Sequence, residues 1–378
     1  MKNHWFLYIL ILFSVSCTDP QDPKIEPENF EKVEGNSHIN DSKIFGLQVE
    51  GDRLYLLSEL VPGYIDASGN IVATCCFLGG LSLNFEPSFS DDYMVRPIET
   101  LNGFIFFPKR GFGNPLIMNL EDAIGAAVNG GRIFADSKST AFIMNRNFAL
   151  NGNTLIFNIL IDGELKIAMS DLEFDEGFNL VRAVNYKIFE PVSFGLDPQT
   201  KDLMIRSIQN TGNQWIAHIT ANSEDISSGK TYLIGKDSNI IGMDSPTEGD
   251  PEFRFFDYTV DQSGGFLISE SHVGRISYSA NSSFNNPKFI TELNAPLKIS
   301  ALSDKAVYFV PGAGQMTAIT NYLNPTSNNV LTFELDRTGL EANAIYSIKF
   351  FQGKAYIATD NGIFSKSLDN FWEEVRTN

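Results

Sequence analysis

Five cationic residues lie in short apolar runs of this sequence, namely Arg96, Arg146, Arg254, Lys298 and Lys349. The chain is otherwise acidic, with 28 basic and 46 acidic residues and a formal net charge of −18. Arg binds carboxylates through paired hydrogen bonds, and Lys binds anions as a point charge. If these runs line a common channel, their cations would favour an anionic ligand. Cations at strand ends can instead pair with neighbouring Asp or Glu, and that alternative stays open.

Catalytic signatures are scarce. The chain has four histidines, at positions 4, 38, 218 and 272, and it lacks Gly-x-Ser-x-Gly, His-Glu-x-x-His, Cys-x-x-Cys and the glycine-rich phosphate loops. His218 lies in an alternating strand pattern, which favours a structural role, whereas His272 stands near Arg275 and is a candidate ligand contact. We therefore expect no built-in transition metal and a protein that binds rather than catalyses.

Acidic clusters raise the question of calcium, which prefers six to eight oxygen ligands. Two loops are rich in carboxylates, one with Asp171, Glu173, Asp175 and Glu176 and the other with Asp244, Glu248, Asp250 and Glu252. Neither follows the order of ligands in an EF-hand. Solvated acidic loops are the commoner case, so we expect no cofactor and keep Ca²⁺ as a weak alternative.

Cys75 and Cys76 are adjacent, and in a strand their side chains would point to opposite faces. We interpret them as two small buried residues; the alternatives are a strained vicinal disulfide or a metal contact.

A repeated β pattern must position these groups. Seven short apolar runs follow a Gly, Asn or Asp turn, and their first apolar residues are separated by steps of 50, 51, 48, 63, 41 and 48 residues. Steps near 50 lie in the range of propeller blades. The seven anchors are Leu54, Phe104, Leu155, Leu203, Phe266, Val307 and Ala355.

Each anchor is preceded by another β-like run and followed by a second turn signal, which is typical of consecutive hairpins. The sequence therefore predicts an all-β fold, a seven-bladed β-propeller of four-stranded antiparallel blades over residues 41–378. The run before each anchor is expected to be the innermost strand, and the 31 Phe residues are expected to fill the wedges between blades. Two separate β domains, divided at the 63-residue step, are the alternative.

The phrase "GIFSKSLDNFW" resembles the repeats of sensor-type propellers and, more loosely, the Asp-box of neuraminidase-like repeats. Ser367, Asp369 and Trp372 match the Asp-box in residue type, although its Gly is missing and the spacing is one residue short. Neuraminidases bind a carboxylate with three Arg, but their Phe-Arg-Ile-Pro motif is absent here. The resemblance supports a propeller and implies no particular activity.

Module counting also predicts a binding face, because the loops between second and third strands and the loops between blades share one side of a propeller. The residues placed on that face are Tyr64, Lys109, Arg110, Phe112, Asn210, Asn213, His272, Arg275, Gln315, Asp360 and Asn361. Their aromatic, amide and cationic groups suit a sugar or a protein surface.

The first residues predict export. Lys2 precedes an apolar run from Trp5 to Val15, too short to cross a bilayer, and small residues follow before Cys17. The stretch resembles a bacterial lipobox, which implies a signal peptide over residues 1–16 and a lipid on Cys17; ordinary cleavage near Ser16 is the alternative. Residues 17–40 are acidic and proline-rich, which predicts a flexible tether.

Together these features predict a monomeric outer-membrane lipoprotein, periplasmic or surface-exposed, that binds a glycan or an envelope protein without catalysis. The acidic surface argues against nucleic acid. A carbohydrate-active hydrolase or lyase is one alternative, since such activity needs only a few residues from distant blades. An accessory protein of an outer-membrane uptake or assembly system is the other.

Overall fold

A computed structural model describes most of the chain between residues 28 and 375. The ranges outside the description are 1–27, 75–86, 91, 99–102, 110–115, 120–139, 142–146, 175, 177–179, 213, 222–228, 244–254, 262–263, 270–271, 277, 280–282, 285–287, 293–297, 322–329 and 376–378. Among the described residues no helix is long and apolar enough to span a bilayer.

Antiparallel sheets of four consecutive strands dominate the fold. The first comprises β2 (Ile44–Glu50), β3 (Arg53–Ser58), β4 (Pro62–Ile65) and β5 (Ile71–Ala73). The second comprises β6 (Ser88–Phe89), β7 (Tyr93–Ile98), β8 (Gly103–Pro108) and β9 (Leu116–Asn119). Another comprises β15 (Met204–Asn210), β16 (Gln214–Thr220), β17 (Lys230–Gly235) and β18 (Ile240–Gly242).

Later in the chain the same arrangement recurs. One sheet comprises β19 (Phe255–Asp261), β20 (Gly264–Ser269), β21 (His272–Ile276) and β24 (Lys288–Glu292), and the hairpin β22 (Tyr278–Ser279) and β23 (Ser283–Phe284) is inserted before its last strand. The next comprises β25 (Lys298–Leu302), β26 (Lys305–Phe309), β27 (Met316–Thr320) and β28 (Leu331–Glu334). The last comprises β29 (Ile345–Phe351), β30 (Lys354–Thr359), β31 (Gly362–Ser367) and, from the other end of the chain, β1 (Glu31–Lys32).

One sheet has five strands: β10 (Thr140–Ala141), β11 (Phe148–Asn151), β12 (Thr154–Ile161), β13 (Glu164–Phe174) and β14 (Leu180–Phe189). The prediction of seven four-stranded blades is therefore wrong, since the described residues form six four-stranded blades beside this sheet. The reason is the length of β12, whose first half pairs with β11 while its far end pairs with β10. Short helical segments complete the fold, namely α1 (Ser37–Asn40), α2 (Leu368–Phe371) and a 3₁₀ turn at Pro191–Phe194.

The sheets stand around one axis as the blades of a β-propeller. The innermost strands are β2, β6, β11, β15, β19, β25 and β29, and neighbours in this order contact one another. The ring closes because β29 packs on β2, and Pro87 and Phe89 lie against Gly46 of β2. The alternative of two separate domains is wrong, since β15 contacts β19 across the proposed cut and β2 contacts β29.

Apolar side chains fill the wedges between blades, as the abundance of Phe predicted. Between the β6 blade and the five-stranded sheet, Phe104, Phe106, Phe148 and Phe157 form one buried cluster with Tyr93. The ring centroids of Phe104 and Phe148 lie 5.1 Å apart. Each blade thus shields its neighbours from water, and no blade buries both faces alone.

Tight turns connect the strands as their composition predicted. Asp162 and Gly163 both have positive φ (51° and 82°), as do Gln352 and Gly353 (47° and 75°). Positive φ at both central residues defines the type I′ turn, which matches the twist of a hairpin.

Two of the seven sequence anchors are out of phase with the blades. Phe104 lies on β8, a third strand, and Leu203 directly precedes the innermost strand β15; the other five anchors lie on second strands. Consequently "MVRPIETL" contributes a second strand, and "PVSFGLD" forms the 3₁₀ turn rather than an innermost strand.

The N-terminal segment closes the ring. Glu31 and Lys32 pair with Ser365 and Phe364, and Phe30 is buried with its ring edge-on to Phe371 at 6.2 Å. The predicted boundary of the propeller at residue 41 is therefore wrong, because residues 28–40 fold with it. Apolar Phe30 and Ile39 drive this ordering, since both are buried.

The carboxylates of Glu28 and Asp336 form polar contacts that hold the N-terminal segment on the last blade. Hydrogen bonds from the Ser367 hydroxyl and the Asn370 amide lower the pKa of Glu28. Burial acts to raise the pKa of Asp336, but hydrogen bonds from Thr338 and the charge of buried Lys366 outweigh it, so that this pKa is lowered. Lys366 Nζ lies 3.4 Å from Asp336 Oδ2 and 5.3 Å from the centre of the Phe30 ring.

We predict that stability falls in acid. A group whose pKa is lowered by folding stabilises the protein above its unfolded pKa, about 4 for Asp and Glu, and this contribution is lost as the pH falls through the folded pKa. Urea unfolding at pH 7, 5, 4 and 3 should give similar stability at pH 7 and 5 and a decline below about pH 4. Glu28→Gln should reduce both the stability at pH 7 and the decline. Exposed Glu34→Gln serves as control, and equal declines in both variants would contradict the assignment.

Candidate functional site

An axial channel runs through the centre of the propeller. Its cavity has a volume of about 450 Å³, and every innermost strand contributes to its wall. Aromatic lining comes from Phe45, Phe89, Phe148, Tyr258 and Phe309. Polar lining comes from Gln48, Ser88, Gln209, Asn210, Thr211, Asp257, Thr259, Lys298, Ser300, Ser347 and Lys349.

β-bulges shape the channel wall near the start of several innermost strands. The register shifts near the start of β2, β15, β19 and β29, at Ile44/Gly46, Ile205/Ser207, Phe255/Asp257 and Ile345/Ser347. A bulge leaves one residue outside the regular ladder and re-aims neighbouring groups. At β29 the effect is visible, because the carbonyl of bulged Tyr346 accepts a hydrogen bond from Lys298 Nζ at 2.9 Å.

Asp257 is a buried carboxylate that joins three blades. One of its oxygens accepts a hydrogen bond from the Gln209 side chain on β15, and the other accepts one from the backbone N–H of Ile299 on β25 at 2.8 Å. Because a buried charge needs such donors, this residue fixes the relative position of the three innermost strands.

Lys349 lies on the wall beside Asp257 and Lys298. Burial lowers the pKa of Lys349, the charge of Asp257 acts to raise it, and the charge of Lys298 lowers it further. The side chain is half-buried by surface area because it faces the channel, although protein surrounds it on other sides. A titratable group with these surroundings in a cavity is a candidate functional residue.

One end of the channel, which we call the upper face, carries the loops between second and third strands and the loops between blades. Lys43 lies here, just before β2, with its ammonium 4.8 Å from the centre of the Phe45 ring and 4.5 Å from that of Tyr346. The lower face carries the remaining turns, among them Thr211 and Gly212 at the channel wall.

The predicted binding face is divided by the structure. Gln315, Asp360 and Asn361 lie in loops of the upper face, and His272 begins β21 there. Tyr64 lies near the end of β4, and Asn210 ends β15, so both belong to the lower face. Arg275 lies toward the lower end of β21. Because successive strands reverse direction, a shift of one strand in counting moves a residue to the opposite face.

Lys109 is buried and has a structural partner. Its Nζ lies 2.5 Å from Glu50 Oε2 and 4.7 Å from the centre of the Tyr55 ring, which links the β2 and β6 blades. Tyr64 is similarly engaged, with the Arg53 guanidinium 4.4 Å from its ring centre. The prediction that Lys109 belongs to a common ligand face is wrong, because it points into the wedge between two blades.

The structure places only some of the predicted channel cations on innermost strands. Lys298 and Lys349 lie on innermost strands, as expected. Arg96 lies on β7, so its assignment to an innermost strand is wrong; β6 occupies that position. Arg146 and Arg254 lie outside the described residues, as do Cys17, Cys75, Cys76, Arg110, Phe112 and Asn213.

No group of three or more His, Cys, Asp or Glu side chains in the described part of the chain is arranged to hold a metal ion. Asp171 in one acidic cluster accepts hydrogen bonds from the Thr154 hydroxyl at 2.6 Å and the Asn185 amide at 2.8 Å. The second acidic cluster lies outside the described residues. His218 is buried on β16 with Nδ1 3.5 Å from the Thr231 hydroxyl, which agrees with a structural role.

Sequence reasoning missed Lys43, Gln48, Gln209 and Asp257. One signal could have found Asp257, since a lone carboxylate interrupts the apolar run "FRFFDYTV" of an expected innermost strand. The amides of Gln48 and Gln209 could not be found from the sequence, because their hydrogen-bond partners are set by the neighbouring blades.

Comparison with known proteins identifies the fold. No family model matches the chain, and no curated protein matches it. A streptogramin B lyase structure has a TM-score of 0.51 at 14% identity, over 89% of this chain and 96% of that one. Catalytically inactive virginiamycin B lyase from Staphylococcus aureus with quinupristin has a TM-score of 0.49 at 16% identity, over 87% and 96%. At such low identity the first of these shows a shared β-propeller fold and nothing about activity.

We predict that Glu50→Ala destabilises the protein by about 3 kcal/mol, because it removes the carboxylate that forms an ion pair with the buried Lys109 ammonium. Urea unfolding measures the change. The adjacent, exposed Asp52, 4.0 Å from Arg53, provides the control, and Asp52→Ala should cost less than about 0.5 kcal/mol. Lys109→Met with Glu50→Gln should recover most of the loss; a double variant as unstable as Glu50→Ala would contradict the pairing.

Proposed function

We propose that this propeller is a lipid-anchored binding protein of the cell envelope that holds a glycan in its axial channel without converting it. The observation that carries the proposal is the cavity of about 450 Å³, to which every innermost strand contributes. This volume lies within the range of about 300 to 1,000 Å³ that is usual for small-molecule sites.

The chemistry of the wall supports a sugar ligand. Sugars present apolar C–H faces and hydroxyl edges, and the wall offers aromatic rings beside amide and hydroxyl groups. Gln48 Oε1 is buried and has no hydrogen-bond donor among the described residues. Rotation of the Gln48 side chain toward the channel would bring this oxygen to a ligand hydroxyl, and a buried acceptor without a donor otherwise costs about 1 to 3 kcal/mol.

The carboxylates argue against a glycoside hydrolase. Such enzymes usually place two carboxyl groups about 5 to 10 Å apart across the scissile bond. Among the described residues of the channel wall, Asp257 is the one carboxylate, and both of its oxygens already accept hydrogen bonds. A binding role therefore fits this wall better than hydrolysis.

We predict that the purified full chain binds soluble envelope polysaccharides or oligosaccharides and releases no product. Calorimetric titration measures binding, and chromatography of the same mixtures measures turnover. Thr259→Trp fills the channel and should abolish binding, whereas Thr332→Trp, on the exposed outer strand β28, should not. Binding that survives Thr259→Trp would contradict the channel as the site, and turnover would favour a lyase or hydrolase. If no glycan binds, a protein partner on the upper face becomes the better proposal.

The anchor is proposed from the sequence alone, on the lipobox-like stretch before Cys17. From Cys17 to Glu28 the chain has 11 residue steps, so even a fully extended link keeps the start of the propeller within about 40 Å of the lipid. We predict that the wild-type chain sediments with membranes and that Cys17→Ser is released into the soluble fraction. Cys75→Ser is the matched control, and membrane retention of Cys17→Ser would overturn the anchor.

A further inference from the structure

Three lysines mark a path from the upper face into the channel. Lys43 lies on the upper face between the rings of Tyr346 and Phe45, and Phe45 itself lines the channel. Lys298, at the start of β25, is held by the Tyr346 carbonyl, and Lys349 lies deeper on β29. In a chain of formal net charge −18, three cations beside one channel would attract an anion to it.

Lys349 is the least compensated of the three. Its ammonium group makes no hydrogen bond or ion pair with the residues that the structure describes, and burial lowers its pKa. Asp257 attracts the Lys349 ammonium, but that carboxylate already accepts hydrogen bonds from the Gln209 side chain and the Ile299 N–H. A buried cation in this position is stabilised by an anion that enters the channel.

We propose that the channel takes an acidic sugar and binds its carboxylate between Lys298 and Lys349. This inference rests on the function proposed above and names the class of its ligand, a uronic acid or a glycan that ends in one. The sugar ring lies against Phe45 and Phe309 of the wall, and one of its hydroxyl groups donates to Gln48 Oε1 once that side chain turns toward the channel. Lys43, on the upper face beside Phe45, attracts the anion toward the channel.

The charge balance favours a carboxylate over a phosphate. Lys298, Lys349 and Asp257 together carry a net charge of about +1 when all are ionised, and a carboxylate neutralises it. A phosphate monoester carries about −1.5 to −2 near neutral pH and would leave excess negative charge beside Asp257.

Isothermal titration calorimetry of the full chain with glucuronate, glucose and glucose 6-phosphate tests the inference. We expect glucuronate to bind more tightly than the other two. Lys349→Met should weaken glucuronate by about tenfold or more and leave glucose unchanged, because only the charged contact is lost. Lys298→Met should act in the same direction. Lys201→Met, at an exposed site in the loop before β15, is the control.

The titrations have four possible outcomes, and each supports or overturns a proposal. Tight glucuronate binding that Lys349→Met and Lys298→Met weaken supports the inference. Equal binding of glucuronate and glucose, unaffected by either variant, overturns the acidic ligand but leaves a glycan-binding channel intact. Tighter binding of glucose 6-phosphate overturns the carboxylate assignment. Failure of every sugar and polysaccharide to bind, with thermal unfolding unchanged, overturns both proposals.

Discussion

Mutual burial of neighbouring blades is the interaction on which the whole structure depends. The β6 blade is apolar on both sides, because Phe104 packs with Phe148 and Phe157 on one side and Phe107 packs with Tyr55 on the other, and it can be shielded only by the sheets beside it. An open ring would expose two such faces to water. The chain avoids this by pairing β1 with β31, so that its two ends share one blade, and by packing β29 against β2.

Closure also creates the site. When sheets are arranged around an axis, their innermost strands converge and cannot fill the centre completely. The result here is a channel whose wall contains residues from every innermost strand. Groups that are distant in sequence, such as Gln209, Asp257 and Lys349, become neighbours through this geometry. The bulges at the start of several innermost strands adjust which groups face the centre.

Polar contacts between blades add specificity to apolar packing, which is non-directional. Asp257 joins β15, β19 and β25, and the Lys109 to Glu50 pair joins the β2 and β6 blades. A buried carboxylate or ammonium tolerates only one arrangement of its partners, so such contacts fix how neighbouring blades are aligned. Burying a charge without a partner is costly, and the Lys349 ammonium makes no hydrogen bond or ion pair with the described residues. This is why Lys349 points to a ligand.

The sequence by itself determined the all-β class, the succession of hairpins and most of the blade phase. These features depend on local chemistry, such as the positive φ at Asp162 and Gly163 and the alternation of apolar residues. Only the tertiary structure decided that Arg96 lies on a second strand, that residues 28–40 complete the ring and that Lys349 lies within the electrostatic influence of Asp257. These facts depend on pairing between segments far apart in the chain, and no local pattern encodes which blade will stand beside another.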